Sequence, residues 1–193
     1  MQKMKRPFIF DGLDGSGKTT LVQSIALVTG MSIIPRLSLI EDAGIKDKIR
    51  NKNISVDTIH KLYMSATHVH LMDLILPKIE SGEKFLIDRW IAGMLTMHVL
   101  RGGTLAHWTT RNYDWSPIKA VDCIFVRASE EVRKQRIMCR GSLTKSDRVS
   151  FHKDAETIHL QFAQRFYRRV ILLEATNLNP DELLAEALRV LDI

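Results

Sequence analysis

The sequence has few cysteines and no long apolar run. Only two of its 193 residues are cysteines, Cys123 and Cys139. They show no spacing typical of a zinc knuckle, so we expect two reduced thiols. No apolar stretch approaches the roughly 18 residues that span a bilayer, and the run at residues 8–10 is too short for the core of a signal peptide. These absences predict a cytosolic protein with no membrane partner.

Apolar runs of strand length alternate with segments of helical periodicity. This order predicts an α/β fold, a doubly wound five-stranded parallel sheet with helices on both faces. We expect one domain over residues 1–193. The expected strands are residues 7–10, 31–35, 84–90, 122–127 and 170–174. The expected helices are residues 17–29, 40–50, 57–80 and 92–100, one beginning after Ser129, 151–168, and one from about 180. Residues 141–150 have no apolar periodicity and indicate a mobile loop, and residues 101–120 allow no assignment.

A glycine-rich segment joins the first expected strand to the first expected helix. Residues 12–19, Gly-Leu-Asp-Gly-Ser-Gly-Lys-Thr, fit the pattern G-x-x-x-x-G-K-[ST]. Glycines let successive backbone N–H groups form a concave anion site, and the helix N-terminus adds positive charge. Lys18 would reach the β- and γ-phosphates, and the Thr19 hydroxyl would bind Mg²⁺. The pattern therefore predicts a nucleoside triphosphate with Mg²⁺ as cofactors. The expected cofactor-binding residues are Gly12, Asp14, Gly15, Ser16, Gly17, Lys18, Thr19 and Thr20.

Signatures of other phosphate-loop classes are missing. The guanine-reading N-K-x-D motif of GTPases has no match, since the nearest string at residues 51–54 lacks the aspartate. The expected third strand ends in Asp88 and Arg89, and not in the Asp-Glu pair that motor and RecA-like ATPases use to polarise water. Three histidines between residues 60 and 70 have spacings that do not converge on a metal. An arginine beside the aspartate favours binding of a second phosphate over hydrolysis.

The chain resembles the thymidylate kinase-like nucleoside monophosphate kinases over nearly its whole length. The similarity includes FIFDGLDGSGKTT at residues 8–20, PR at 35–36, KIR at 48–50, LILPKIESGEKFLIDRW at 74–90 and RIMCRGSLTKSDR at 136–148. FLIDRW is similar to the family's Asp-Arg-Tyr signature, with Trp90 in place of tyrosine. The resemblance implies a P-loop kinase fold with a short arginine-bearing lid at about residues 140–150.

The resemblance also implies roles for individual residues. Arg89 and Arg36 would hold the acceptor phosphate, with Arg50 a weaker candidate, while Asp88 would lie near Mg²⁺ and Asp14 would face the acceptor. The implied catalytic residues are Lys18, Asp88, Arg89, Arg136, Arg140 and Arg148, and the implied metal-binding residues are Thr19 and Asp88. Spacing supports the lid independently, because Arg133, Arg136 and Arg140 would share one helical face. Some relatives place an arginine at the position of Gly15. Because this chain has glycine there, the resemblance implies that the positive charge needed for catalysis comes from the arginines of the lid.

The family's base-reading pattern is not matched. Thr67-His68 stands where relatives have an arginine, so the candidates that could stack on or hydrogen-bond an acceptor base are Tyr63, Trp90, His70 and His98. We expect an ATP-dependent phosphotransferase that converts a (deoxy)nucleoside monophosphate, thymidylate first, to the diphosphate. A homodimer through residues 57–80 is also expected, as relatives commonly form one.

Two alternatives stay open at this point. The first is a deoxynucleoside kinase, in which Asp11 or Asp88 would serve as the base for a sugar hydroxyl. The second is a nucleic-acid-stimulated ATPase, which the formal charge of +6 and the pI near 9.4 permit. The Asp88-Arg89 pair disfavours this second reading, and nucleic acid is not the expected partner.

Overall fold

Five parallel strands form the centre of the molecule. The structure, a computed structural model, describes residues 7–34, 54–105, 113–141 and 143–192. The strands are β1 (Phe8–Asp11), β2 (Ser32–Ile34), β3 (Phe85–Asp88), β4 (Asp122–Arg127) and β5 (Arg169–Glu174). Their order in the sheet is β2-β3-β1-β4-β5. Phe8 in the central strand aligns with Leu86 on one side and with Asp122 on the other. The expected five-stranded parallel sheet is confirmed.

Helices follow each strand and cover the sheet. They are α1 (Lys18–Thr29), α2 (Val56–His70), α3 (Leu76–Glu80), α4 (Ile91–Leu100), α5 (Glu130–Met138), α6 (Lys145–Ser150), α7 (Ala155–Phe166) and α8 (Pro180–Leu191). A 3₁₀ helix at Ser116–Ala120 precedes β4. Among the described helices, none combines the length and apolar character needed to traverse a lipid bilayer.

The two faces of the sheet have separate apolar cores. Ile9, Ile87 and Phe125 pack into one core with residues of α2, α4 and α7. Phe10 and Ile124 point the other way and pack against residues of α1 and α8. Successive strand residues alternate between faces, and both faces are covered, so the strand interiors are apolar throughout. This layering places the carboxyl ends of β1, β3 and β4 along one edge, where the phosphate loop begins.

The expected helix at residues 57–80 is interrupted by one wider turn. Val56–His70 and Leu76–Glu80 are α-helical, and Leu71–Ile75 between them forms a π-helical turn. Pro77 explains the change, because proline has no N–H to donate and its ring would clash with the carbonyl four residues earlier in a regular α-helix.

The prediction of a mobile loop at residues 141–150 is wrong for its second half. Helix α6 begins after Thr144, whose hydroxyl accepts from the Asp147 N–H at 3.1 Å, while the Thr144 N–H donates to Asp147 Oδ2 at 2.8 Å. This reciprocal cap starts a helix too short to show apolar periodicity. The next helix, expected from residue 151, begins at Ala155. The expected helix at residues 40–50 lies outside the described residues.

Candidate active site

The phosphate loop takes a backbone path that only glycine supports. Gly12, Gly15 and Gly17 have φ angles of 137°, 82° and 94°. A Cβ at Gly12 would overlap the Val126 carbonyl oxygen, and one at Gly15 would lie 2.6 Å from the Arg133 carbonyl oxygen. The loop is therefore pressed against the end of β4 on one side and against α5 on the other.

The outer side of this loop is bound by arginines from α5. A phosphate nest turns N–H groups inward, so the carbonyl groups face outward and need donors of their own. Arg136 Nη1 donates to the Ser16 carbonyl at 3.0 Å and Nη2 to the Ala175 carbonyl at 3.1 Å. Arg133 Nη1 lies 3.5 Å from the Asp14 carbonyl. These contacts attach the loop to α5.

Lys18 is buried at the start of α1. Its side chain is 2 % exposed, and its amine donates to the Leu13 carbonyl at 3.0 Å. Burial, and second the nearby Arg89 guanidinium, lower the pKa of Lys18 to about 7, while Asp14 and Asp88 oppose the shift. An anionic ligand beside this amine would therefore favour its protonated form and raise its pKa again.

Arg89 lies beside the loop and directly follows the end of β3. Its φ of 68° is uncommon for a residue with a side chain. Its N–H donates to the Phe10 carbonyl at 2.8 Å, which fastens the end of β3 to β1. The guanidinium forms an ion pair with Asp14 and lies 3.4 Å from the Gly12 carbonyl. The structure therefore brings together two of the predicted catalytic and binding residues, Arg89 and Asp14.

Asp88 and Thr19 are the residues predicted to bind magnesium. The Oδ1 atom of Asp88 is buried and has no hydrogen-bond partner among the described residues. Thr19, on the first turn of α1, is exposed and lines the same cleft as Lys18. Carboxylate and hydroxyl oxygens are hard ligands of the kind that Mg²⁺ prefers. The buried Ser16 hydroxyl likewise has no partner in the described part of the chain.

A cleft of about 380 Å³ leads away from the loop. Its lining includes the loop residues Gly15, Gly17, Lys18, Thr19 and Thr20, and an apolar wall formed by Leu178, Pro180 and Leu183. The sequence patterns did not predict this wall. The sequence offers one indication of it, since these residues come soon after β5. Ligands of parallel sheets bind beyond the carboxyl ends of the strands.

The predicted lid arginines have different environments. Arg136 lines the cleft, and its donors bind backbone carbonyls. Arg140 also lines the cleft, is 56 % exposed, and pairs with Asp147 at 3.1 Å. Arg148 is exposed on α6 and is not among the residues that line the cleft.

The predicted base-reading residues lie on the side of the sheet covered by α2 and α4. Trp90 is 6 % exposed and stacks on His70 with ring centres 5.4 Å apart. His98 is fully buried, with Nε2 2.8 Å from the Thr104 carbonyl. Tyr63 is half-buried against the same core. Base binding by Tyr63, Trp90 and His98 stays a prediction, and Arg36 and Arg50 lie outside the described residues.

Asp11 is fully buried in a polar cluster beneath the loop. His159 Nε2 lies 2.8 Å from Asp11 Oδ1, the Gly12 N–H donates to the same oxygen at 3.0 Å, and the Tyr167 hydroxyl donates to Oδ2 at 3.3 Å. Burial alone would raise the pKa of Asp11, but His159 and Arg89 hold it below its usual value. Asp11 is thus inaccessible as a base for a sugar hydroxyl. No spacing in the sequence indicates this cluster, because its members lie far apart along the chain.

The sheet order, the phosphate loop after β1 and the arginine from β3 beside it define a P-loop kinase. The family model described as thymidylate kinase matches residues 10–186. The chain belongs to the thymidylate kinase family and is an ATP-dependent nucleoside monophosphate kinase.

Individual relatives cover nearly the whole chain. The thymidylate kinase of Pediococcus pentosaceus is 23 % identical, with 95 % of each chain covered. That of Anoxybacillus flavithermus is 26 % identical, with 88 % of each covered. The crystal structure of thymidylate kinase from Ehrlichia chaffeensis aligns with a TM-score of 0.62 at 12 % identity, covering 96 % of this chain and 98 % of that one. At that identity the structural likeness supports the fold alone.

Proposed function

We propose that this kinase transfers the γ-phosphoryl group of ATP to thymidylate, with Mg²⁺ as the metal. The curated relatives named above are thymidylate kinases, which favours this acceptor among the nucleoside monophosphates. The observation that carries the proposal is the position of Arg89. This arginine, expected to hold the acceptor phosphate, forms an ion pair with Asp14 in the phosphate loop expected to hold the donor. A cytosolic location and a single kinase domain with a lid at about residues 140–150 stay predictions.

The donor triphosphate would lie in the phosphate loop, with Lys18 at its β- and γ-phosphates. Thr19 and Asp88 would hold Mg²⁺, which neutralises charge on the phosphate oxygens when bound. The apolar wall of Leu178, Pro180 and Leu183 is suited to the face of the donor's base. The remaining loop residues, Gly12, Asp14, Gly15, Ser16, Gly17 and Thr20, would contribute backbone amides, hydroxyls and shape.

The acceptor phosphate would be held by Arg89, together with the predicted Arg36. A phosphate oxygen is already anionic, so the reaction needs alignment and charge stabilisation more than a general base. Arg136, Arg140 and Arg148 would stabilise charge on the transferring group. The deoxynucleoside kinase alternative would need a carboxylate base, and Asp11 is fully buried with His159 Nε2 2.8 Å from its carboxylate.

A panel of acceptors tests the proposal. The purified protein is incubated with ATP, Mg²⁺ and each common nucleoside or nucleoside monophosphate in turn, and the products are identified by mass. We expect the highest kcat/KM with thymidylate and no product from nucleosides. A higher kcat/KM with another monophosphate would replace the acceptor, and phosphorylation of nucleosides alone would contradict the proposal.

We also propose that two copies associate through the exposed face of α2 and the turn after it. Leu62, Val69 and Met72 lie on one side of this helix and are 40 %, 45 % and 38 % exposed. Val69→Glu should convert a dimer to a monomer in light scattering coupled to size exclusion. Leu27→Glu is the matched control, because Leu27 is 85 % exposed on α1, away from this face. A wild-type monomer, or a Val69→Glu dimer, would rule out this interface.

A further inference from the structure

Arg133 lies between the phosphate loop and the lid helix α6. Its side chain extends from α5 and is 6 % exposed. Nη1 donates to the Ser150 carbonyl at 3.0 Å and lies 3.5 Å from the Asp14 carbonyl. One guanidinium nitrogen therefore contacts both the last residue of α6 and the loop that is expected to grip the donor.

Each of these carbonyls needs a donor from outside its own element. Ser150 is in the last turn of α6, where carbonyl groups have no partner within the helix. The Asp14 carbonyl faces away from the phosphate nest. The planar guanidinium presents donors in a fixed geometry, and its Cζ lies 5.3 Å from the centre of the Phe151 ring, which orients it further.

The position of α6 matters because it supports two of the proposed lid arginines. Arg148 is on α6 itself, and Asp147 on α6 pairs with Arg140 at 3.1 Å. Arg136 cannot replace Arg133 in this respect, because the carbonyls it binds belong to Gly15, Ser16 and Ala175 and none to α6.

We propose that Arg133 is a positioning residue for phosphoryl transfer. It holds α6, and with it Arg140 and Arg148, in a fixed position relative to the phosphate loop. This inference rests on the proposed role of Arg140 and Arg148 at the transferring group. Arg133 acts through these residues and is not expected to touch either nucleotide. Its loss should therefore change the chemical step and the exclusion of water more than it changes ATP binding.

Arg133→Met tests the inference, since methionine keeps an unbranched apolar side chain and removes every donor. We expect kcat to fall about ten- to a hundredfold, the range for losing a charged hydrogen-bond donor. The KM for ATP should change less than about threefold. The ratio of ATP hydrolysed without acceptor to ATP used in transfer should rise severalfold, because α6 no longer closes reliably over the site.

Lys134→Met is the matched control. Lys134 is the next residue on α5, and its amine lies 5.5 Å from the same Phe151 ring, but its ion pair is with Glu130. We expect wild-type kcat and a wild-type hydrolysis ratio. An equal effect of both substitutions would overturn the inference, as would unchanged kcat and hydrolysis in Arg133→Met. Should Arg133→Met fail to fold, Arg133→Lys decides: an intermediate kcat supports the role, and wild-type values refute it.

A double-mutant cycle with Arg148→Met separates this inference from the proposed function. If Arg133 acts through α6, Arg133→Met should reduce kcat less in the Arg148→Met background than in the wild type. Strictly additive losses would contradict the inference. If Arg148→Met has wild-type kcat, the proposed role of Arg148 in the lid is wrong. If the wild-type protein prefers another acceptor, only the proposed acceptor is wrong. The cycle is then run with that acceptor.

Discussion

Binding of ATP should take up a proton at Lys18. Burial first, and repulsion by Arg89 second, lower the pKa of the Lys18 amine to about 7. A triphosphate beside the amine favours its charged form and raises the pKa again. At about pH 8 the free protein then has roughly one tenth of its Lys18 protonated, so binding takes up about 0.9 proton. Uptake should fall to about 0.5 at pH 7 and about 0.1 at pH 6.

The sign of the pH dependence follows from this linkage. Because the bound state holds more protons than the free state above pH 7, ATP affinity should fall as the pH rises. The apparent dissociation constant should increase about tenfold per pH unit between the free and the bound pKa of Lys18. Below about pH 6 both states are almost fully protonated at Lys18, and the affinity should be nearly constant.

Isothermal titration calorimetry measures the uptake directly. ATP with excess Mg²⁺ is titrated into the protein in buffers of different ionisation enthalpy, and the slope of the observed enthalpy against that quantity gives the protons taken up. Lys18→Arg is the control, since arginine stays protonated across this range. A slope of zero for the wild type at pH 8, or equal slopes for the wild type and Lys18→Arg, would refute the reasoning.

Three further substitutions follow from the site. Gly12→Ala places a Cβ against a carbonyl of β4, at a residue whose φ is positive. Urea denaturation should therefore show a free energy of unfolding lower by about 2 kcal/mol or more, and a wild-type midpoint would argue against this. Arg89→Lys keeps the charge but not the paired donors beside Asp14, so kcat/KM for the acceptor should drop about a hundredfold with little change in the KM for ATP. A KM for ATP that rises as much as the KM for the acceptor would contradict an acceptor role. His159→Phe removes the imidazole that lies 2.8 Å from the buried Asp11 carboxylate. It should destabilise the fold by about 2 kcal/mol, because a buried polar group loses a neighbour that stabilises it, and a loss below about 0.5 kcal/mol would exclude this reasoning.

Local patterns were sufficient to predict the sheet and the phosphate loop. The strand runs are apolar because both faces of the sheet are covered, and the glycine positions reflect backbone angles that the sequence pattern itself requires. The Asp88-Arg89 pair was predictable because it lies at the carboxyl end of an apolar strand, where Asp88 is the last residue of β3 and Arg89 follows it.

Contacts between distant segments were not predictable in this way. The cap of α6 depends on two side chains three residues apart, which apolar periodicity does not detect. His159 and Tyr167 beside Asp11, and the apolar wall at Leu178, come from segments more than a hundred residues away from the phosphate loop, so that only the sheet order brings them to it. The role inferred for Arg133 likewise depends on a backbone carbonyl, which has no signature in the sequence.

The glycine at position 15 and the arginines of α5 are physically linked. A Cβ at Gly15 would lie 2.6 Å from the Arg133 carbonyl oxygen and 3.0 Å from its Cα, so any larger residue there would push α5 away from the loop. Arg133 and Arg136 would then lose the loop carbonyls that they now bind. An arginine at position 15 would therefore require a different packing of this helix. In the present chain the small residue in the loop and the positive charge on the neighbouring helix depend on the same close contact.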